Sequence, residues 1–386
     1  MTYHYLPEWE VFSAYRGGAV ARIIANMMHF DLASVVVCRS ADGTLGYGSD
    51  RILVIPELRM YAKIRGRRHL PGWINGTFLR YIFQPLLSRL KSEDIVWCHS
   101  QPVLCAALER SIHAKGAKLI YHAHSSLATY PEYSMFRLFT ADAVIFVSEA
   151  MRREAVGVLP WLKDTYAIHN GADEALFYPQ LEVEGGKNAV PIILYVGRLH
   201  PEKGVHVLMD AMRILQERKI DALCKVVGSA FSGGSKATPY VKSLLKSTPS
   251  NVQFKGSRTG QEIAEEYRAA DILCCPSIYQ EPFGMVNIEA MACRIPVVAT
   301  RVGGITEIAA EGGVLLVEPD SAIELANVLQ RLIDDKELRG EVAAEGLKSF
   351  QHRFTWTVIY RQYQEIVDSL RAKTAAGGNY NNSGHC

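Results

Sequence analysis

The sequence predicts an α/β protein made of two doubly wound, parallel-sheet domains of near-equal size. Three observations carry that expectation. At 386 residues the chain is too long for one ordinary core. Hydrophobic residues make up 48% and charged residues 21%, a globular composition. Short apolar runs alternate with longer helical patterns along the whole chain, the rhythm of parallel strands joined by crossover helices.

In the first half, strands are expected at 3–6, 34–38, 52–55, 95–98, 119–122, 143–147 and 166–169. They are brief and bounded by turn or charged residues, as strands covered on both faces should be. Helices fit 18–30, 74–91, 103–115 and 149–159. Phe177-Tyr178-Pro179 then leads into a stretch rich in Gly, charge and Pro that ends at Pro191 and reads as a linker. The rhythm restarts with strands at 192–196, 224–227, 252–254, 272–275, 297–299 and 314–316, and helices at 205–218, 261–269 and 321–333. The expected division is therefore 1–178, 179–350, a crossover helix over 351–373 and a disordered tail over 374–386. The first strand, starting almost at the first residue, is expected to pack irregularly. The Gly/Ser-rich stretch after Gly228 is expected to be a mobile loop.

Charge narrows the function. Lys and Arg number 42 against 40 Asp and Glu, a net +2, so bulk charge gives no sign of nucleic acid as a partner. Positive charge gathers locally at Lys63, Arg65, Arg67 and Arg68, beside His69. A solvated loop and a patch for anionic lipid or an acidic acceptor fit that segment equally. The start lacks the pattern of a signal peptide, and no apolar run approaches the ~18 residues needed to span a bilayer. The eight cysteines form no C-x-x-C pair and read as small buried hydrophobes. A cytoplasmic protein, peripheral at most to the inner membrane face, is the expectation.

The richest chemistry lies in the second half. The strand at 192–196 runs into Gly197-Arg198-Leu199-His200-Pro201-Glu202-Lys203-Gly204 before a helix begins, the place where doubly wound folds bind ligands. Arg198 and Lys203 thus lie on one loop after a strand. After the strand at 272–275 comes a segment in which Pro282 suits the first turn of a helix. That helix would aim the backbone N–H groups of Phe283, Gly284, Met285 and Val286 at an anion such as a diphosphate. Glu281 and Glu289 flank this terminus, and a carboxylate can accept from two hydroxyls, which suits a sugar and a ribose. A hydrolase would use the same two glutamates as acid and nucleophile, but it needs no diphosphate cradle. In the first half Arg16-Gly17-Gly18 opens a helix without forming G-x-G-x-x-G. His99, His122 and His124 lie at strand carboxyl ends, the ligand side of such sheets.

These residues resemble the retaining glycosyltransferases of family four, also called glycosyl transferases group 1, over nearly the whole chain. The most specific elements are Gly-Arg-Leu…Glu-Lys-Gly at 197–204 and Glu-x7-Glu at 281–289. The resemblance implies the GT-B fold, two Rossmann-like domains facing each other across a cleft. It implies Arg198 and Lys203 on the donor's diphosphate, Glu281 on the transferred sugar and Glu289 on the ribose. Gly17 and Gly18 would approach the diphosphate or acceptor, and His124 would stand beside the reacting carbon, with His122 and His99 on the acceptor or sugar side. UDP is the default nucleotide because it is the family's commonest. No Asp-x-Asp occurs, so no metal and no cofactor is expected, protein cations serving instead. The acceptor is a lipid-linked or envelope glycan, or a small soluble sugar, cyclitol or metabolite. A silent nucleotide-sugar-binding subunit and an epimerase of the same fold fit the charged pairs less well.

Overall fold

A computed structural model of the protein describes residues 1–13, 18–42, 47–59, 72–127, 141–180, 188–230 and 238–378. The chain divides into two compact units. Unit 1 holds Met1–His169 together with the chain from Ile359 onward, and unit 2 holds Asn170–Val358.

The strands of unit 1 are Thr2–Tyr5 (β1), Phe12–Ser13 (β2), Ser34–Cys38 (β3), Ala41–Asp42 (β4), Ile52–Val54 (β5), Ile95–His99 (β6), Lys118–Ala123 (β7), Ala143–Phe146 (β8) and Thr165–Ala167 (β9). Seven of them form one parallel sheet in the order β5-β3-β1-β6-β7-β8-β9, and β2 pairs with β4 apart from it. The first strand is not irregular. It is central, with Thr2–Tyr5 in register with Ser34–Val37 on one side and Ile95–Cys98 on the other, and all four residues are buried. Four residues suffice because both edges are paired and both faces are covered.

Unit 2 contains Ile192–Val196 (β10), Leu223–Val227 (β11), Val252–Gly256 (β12), Ile272–Cys275 (β13), Val297–Thr300 (β14) and Val314–Val317 (β15), in a parallel sheet ordered β12-β11-β10-β13-β14-β15. Its core packs β10, β11 and β13 against the Val205–Glu217 and Ala322–Asp334 helices through Ile193, Leu208, Met212, Cys274, Leu325 and Leu329. The seven described cysteines are all buried, and none forms a disulfide.

Several expectations are corrected. The helix expected over 74–91 is two, Gly72–Ile82 and Gln84–Leu87, broken at Phe83 where Pro85 starts a new first turn. The stretch after Gly228 contains the helix Pro239–Lys246, capped by the Thr238 hydroxyl, which accepts from Val241 N at 3.3 Å. Residues 231–237 of that stretch lie outside the described residues. Lys336–Arg353 is helical, and the last helix, Trp356–Gly378, starts after the expected 351 and continues past the expected end at 373. The units part at 169/170 and 358/359, not at 178/179 and 350/351. The reason for the first shift lies in unit 2, where Ala172 bridges Thr355 and the Trp356 N–H donates to Glu174 Oε2. These contacts tie the chain to unit 2 well before the composition turns linker-like.

Candidate functional site

Strand order in unit 2 places the site. Counted in chain order its strands run 3-2-1-4-5-6, so the sequence reverses between β10 and β13. In doubly wound sheets the carboxyl ends of two such neighbours are where ligands bind. Both glycine-bearing segments singled out in the sequence, 197–204 and 276–284, leave these two strands.

The two loops are locked together. Gly204 has φ +68°, and a Cβ there would lie 1.8 Å from the Pro276 carbonyl oxygen, so only glycine fits. The Ile278 N–H donates to Glu202 O at 2.8 Å. This brings Lys203 to Glu281. The ammonium Nζ donates to Oε2 at 2.7 Å and Oε1 at 2.8 Å, and also to the Tyr279 hydroxyl at 2.9 Å. Tyr279 in turn donates to Glu281 Oε1 at 2.8 Å, and Ser277 to Oε2 at 3.0 Å. Burial first, and the Glu281 charge second, raise the Tyr279 pKa and keep the phenol a donor. The pair is largely withdrawn from water, with 18% and 10% of the two side chains exposed.

Arg198 is exposed, and no described residue pairs with its guanidinium. Its carbonyl is held by the Tyr195 hydroxyl at 2.8 Å. The loop therefore presents one open cation and one already paired with a carboxylate.

The helix expected to begin at Pro282 starts instead at Met285 and runs to Ala292. Gly284 is its N-cap in the left-handed region, φ +103°, and Asn287 N–H bonds Gly284 O at 3.0 Å. Phe283 precedes the helix and is buried, its ring edge-on to Phe354 at 6.0 Å, so its place is in the core. Met285 and Val286 are left as the first-turn N–H groups without intrahelical acceptors. Glu289, about one turn on from Met285, is buried and accepts from the Tyr267 hydroxyl at 2.7 Å through Oε2.

Unit 1 reverses its strand order between β1 and β6, and there it gathers histidines. His4 Nδ1 lies 3.3 Å from His99 Nε2, and His99 Nδ1 lies 3.0 Å from His124 Nε2, so the three rings form a chain. His122 packs on His124 at 4.1 Å between ring centroids and lies 3.5 Å from the Tyr363 hydroxyl. Burial lowers all four pKa values, to about 4 for His4 and about 3 for His124. Neighbouring imidazoles lower His99 and His122 further. His99 and His122 are completely buried, whereas His124 is only partly buried. Nitrogens of His99, His122 and His124 lie within 4.8 Å of one another, close enough for shared metal ligation, but in this arrangement His99 and His124 are bonded to each other.

Gly18 caps the Ala19–Phe30 helix, yet that terminus already holds an internal anion: Glu10 Oε2 accepts from Ala21 N at 2.8 Å. Gly17 and the segment bearing Lys63, Arg65, Arg67, Arg68 and His69 lie outside the described residues.

Sequence reasoning missed Ser277, Tyr279, Tyr267 and His4. A signal existed for the first two. Residues 277, 279 and 281 alternate along one stretch, the spacing that puts side chains on one side of an extended chain. Tyr267 and His4 reach their partners only through tertiary packing.

Residues 180–349 match the model of glycosyl transferases group 1, and residues 20–176 match that of Glycosyltransferase Family 4. The chain is 32% identical over 263 residues to alpha-maltose-1-phosphate synthase of Mycolicibacterium smegmatis, covering 60% of this chain and 64% of that protein. It is 36% identical over 215 residues to D-inositol 3-phosphate glycosyltransferase of Corynebacterium efficiens, covering 52% and 50%. The matches thus span between half and just under two thirds of these curated relatives. Among solved structures, HepE of Anabaena in complex with UDP-glucose shares the fold, with a TM-score of 0.72 at 22% identity over 96% of this chain and 100% of that one.

Proposed function

The chain belongs to the glycosyltransferase family that these two models describe, and from that premise we propose that it moves a sugar from a nucleoside diphosphate sugar to an acceptor hydroxyl. The observation that carries the proposal is the switch point between β10 and β13, after which come Arg198, the Lys203–Glu281 pair and the Met285 helix terminus. Departure of a nucleoside diphosphate builds negative charge. Arg198, Lys203 and the Met285 and Val286 N–H groups are fixed donors for that charge. Glu281, beside Lys203, accepts from the sugar hydroxyls, and Glu289 offers the ribose the oxygen that Tyr267 leaves. From unit 1 we assign His124 a role beside the reacting carbon. His99 and His122, being buried, act by orienting it.

The reaction retains the anomeric configuration, the leaving phosphate taking the acceptor proton, and the protein cations serve in place of a divalent metal. UDP is the donor nucleotide we favour, since the Anabaena neighbour was solved with UDP-glucose. Extension of a cell-envelope or exported polysaccharide is the acceptor reading tied to Lys63, Arg65, Arg67 and Arg68. A small phosphorylated acceptor is supported by the names of the two relatives. No described helix is long and apolar enough to cross a membrane. Buried thiols with no disulfide among the described residues support a reducing, cytoplasmic setting.

The test is turnover of UDP-, GDP- and ADP-sugars with both acceptor classes in excess EDTA. Release of diphosphate that survives chelation is expected, with an α-linked product from an α-linked donor. Activity lost on chelation and restored by magnesium would refute the protein-cation mechanism. No turnover with any donor would refute the activity.

A further inference from the structure

We infer that Asn287 is a ligand-binding residue, its carboxamide donating to a phosphate oxygen of a nucleoside diphosphate held at the start of the Met285–Ala292 helix. The inference rests on the nucleotide-sugar reading above. It starts from an unusual side chain. Asn287 is completely buried, and neither Nδ2 nor Oδ1 has a hydrogen-bond partner among the described residues. A buried amide without partners forfeits its hydration and gains nothing in return, so an apolar side chain such as that of the neighbouring Ile288 would be the cheaper occupant.

The amide's position says what it is for. Asn287 stands in the first turn of the helix, and helical side chains lean toward the helix N-terminus. A Cβ on Gly284 would come within 2.5 Å of Nδ2, so the amide lies directly against the N-cap residue. The left-handed glycine removes the one group that would press on it. Side-chain caps are not universal in this unit: Val205–Glu217 and Gln261–Ala269 have none, while three helices close their first turn with one. Thr238 accepts from Val241 N, Ser321 from Glu324 N and Asp335 from Leu338 N. The Met285 helix has no side-chain cap, and Asn287 does not supply one. Its first-turn N–H groups and the amide Nδ2 are therefore donors gathered at one terminus. Phosphate oxygens accept and never donate, which matches such a donor set.

The experiment compares wild type with Asn287→Leu, which keeps the branched heavy-atom skeleton without polar atoms, and Asn287→Asp. Each is titrated with UDP, GDP and ADP and with the matching nucleosides, beside thermal midpoints without ligand. For Asn287→Leu we expect a midpoint equal to or above wild type, diphosphate affinity weakened ~10-fold or more, and nucleoside affinity unchanged. Asn287→Asp should bind the diphosphate more weakly still, because a carboxylate would face an anion. Unchanged diphosphate affinity in Asn287→Leu would overturn the inference while leaving the nucleotide-sugar site intact. Equal weakening of nucleoside and diphosphate would move the contact to the ribose or base and overturn it too. A wild-type protein that binds no nucleoside diphosphate would overturn the site itself, and this inference with it. Should Asn287→Leu fail to fold, Asn287→Ala carries the same readout.

Discussion

Lys203 and Arg198 lie on one loop but stand in different environments, and their removal should be felt differently. Arg198 is exposed, so Arg198→Ala should leave stability within about 0.5 kcal/mol while lowering turnover ~100-fold, the scale of one lost transition-state donor. Lys203→Ala should lower turnover similarly and also destabilise the protein. It strands the Glu281 carboxylate, 10% exposed, with only Tyr279 and Ser277 as described donors. The expected loss is on the order of 2 kcal/mol, below the ~3–5 kcal/mol of a fully buried pair. Urea denaturation of both variants decides it, and equal stability would mean that the pair is not what holds Glu281. Sequence spacing was enough to single out these residues, because charged groups just after strands stand out against apolar runs. It could not reveal that Lys203 bonds Glu281, a partner 78 residues away, since nothing local records a contact made by two loops. The energetic cost of removing Lys203 is therefore invisible from spacing alone.

Among secondary-structure elements, the parallel strands were legible and the helix starts less so. Buried strands are short apolar runs between turns, a pattern that survives without knowledge of neighbours. The Met285 helix start was misplaced at Pro282 because Pro is favoured in a first turn, whereas the left-handed Gly284 defers the helix to the next residue. Three histidines were noticed at strand ends, but the link to His4 depends on β1 and β6 lying side by side. That cluster makes a prediction about pH. In the unfolded chain these imidazoles take up protons near pH 6.5. In the folded protein they stay neutral down to about 4 for His4 and about 3 for His124. Between these limits the unfolded state holds more protons, so stability must fall as pH drops through the window. Each buried histidine contributes up to ~1.4 kcal/mol per pH unit. The denaturation midpoint should thus be flat above roughly pH 7 and fall steeply below 6.5, with a shallower fall in His122→Phe. An unchanged slope in that variant would show that the acid sensitivity arises elsewhere.

For the molecule as a whole, the two-unit organisation was visible in the repeated strand–helix rhythm, but the boundaries were not. Composition marks a linker by its Gly, Pro and charge, while the actual division follows contacts such as Ala172 with Thr355, which join segments far apart in sequence. The 3-2-1-4-5-6 order of unit 2 is likewise a property of pairing, and it is this order that sets the two separate motifs side by side after β10 and β13. On the proposed reading this switch point holds a diphosphate. The most direct test is calorimetric titration of the intact wild-type chain with UDP, GDP and ADP, each beside its nucleoside, in the presence of EDTA. Two charge-assisted hydrogen bonds at about 1.5–3 kcal/mol each set the expected gap. One diphosphate should bind at least ~100-fold more tightly than its nucleoside, whereas a nucleoside that binds as well as its diphosphate would contradict the claim.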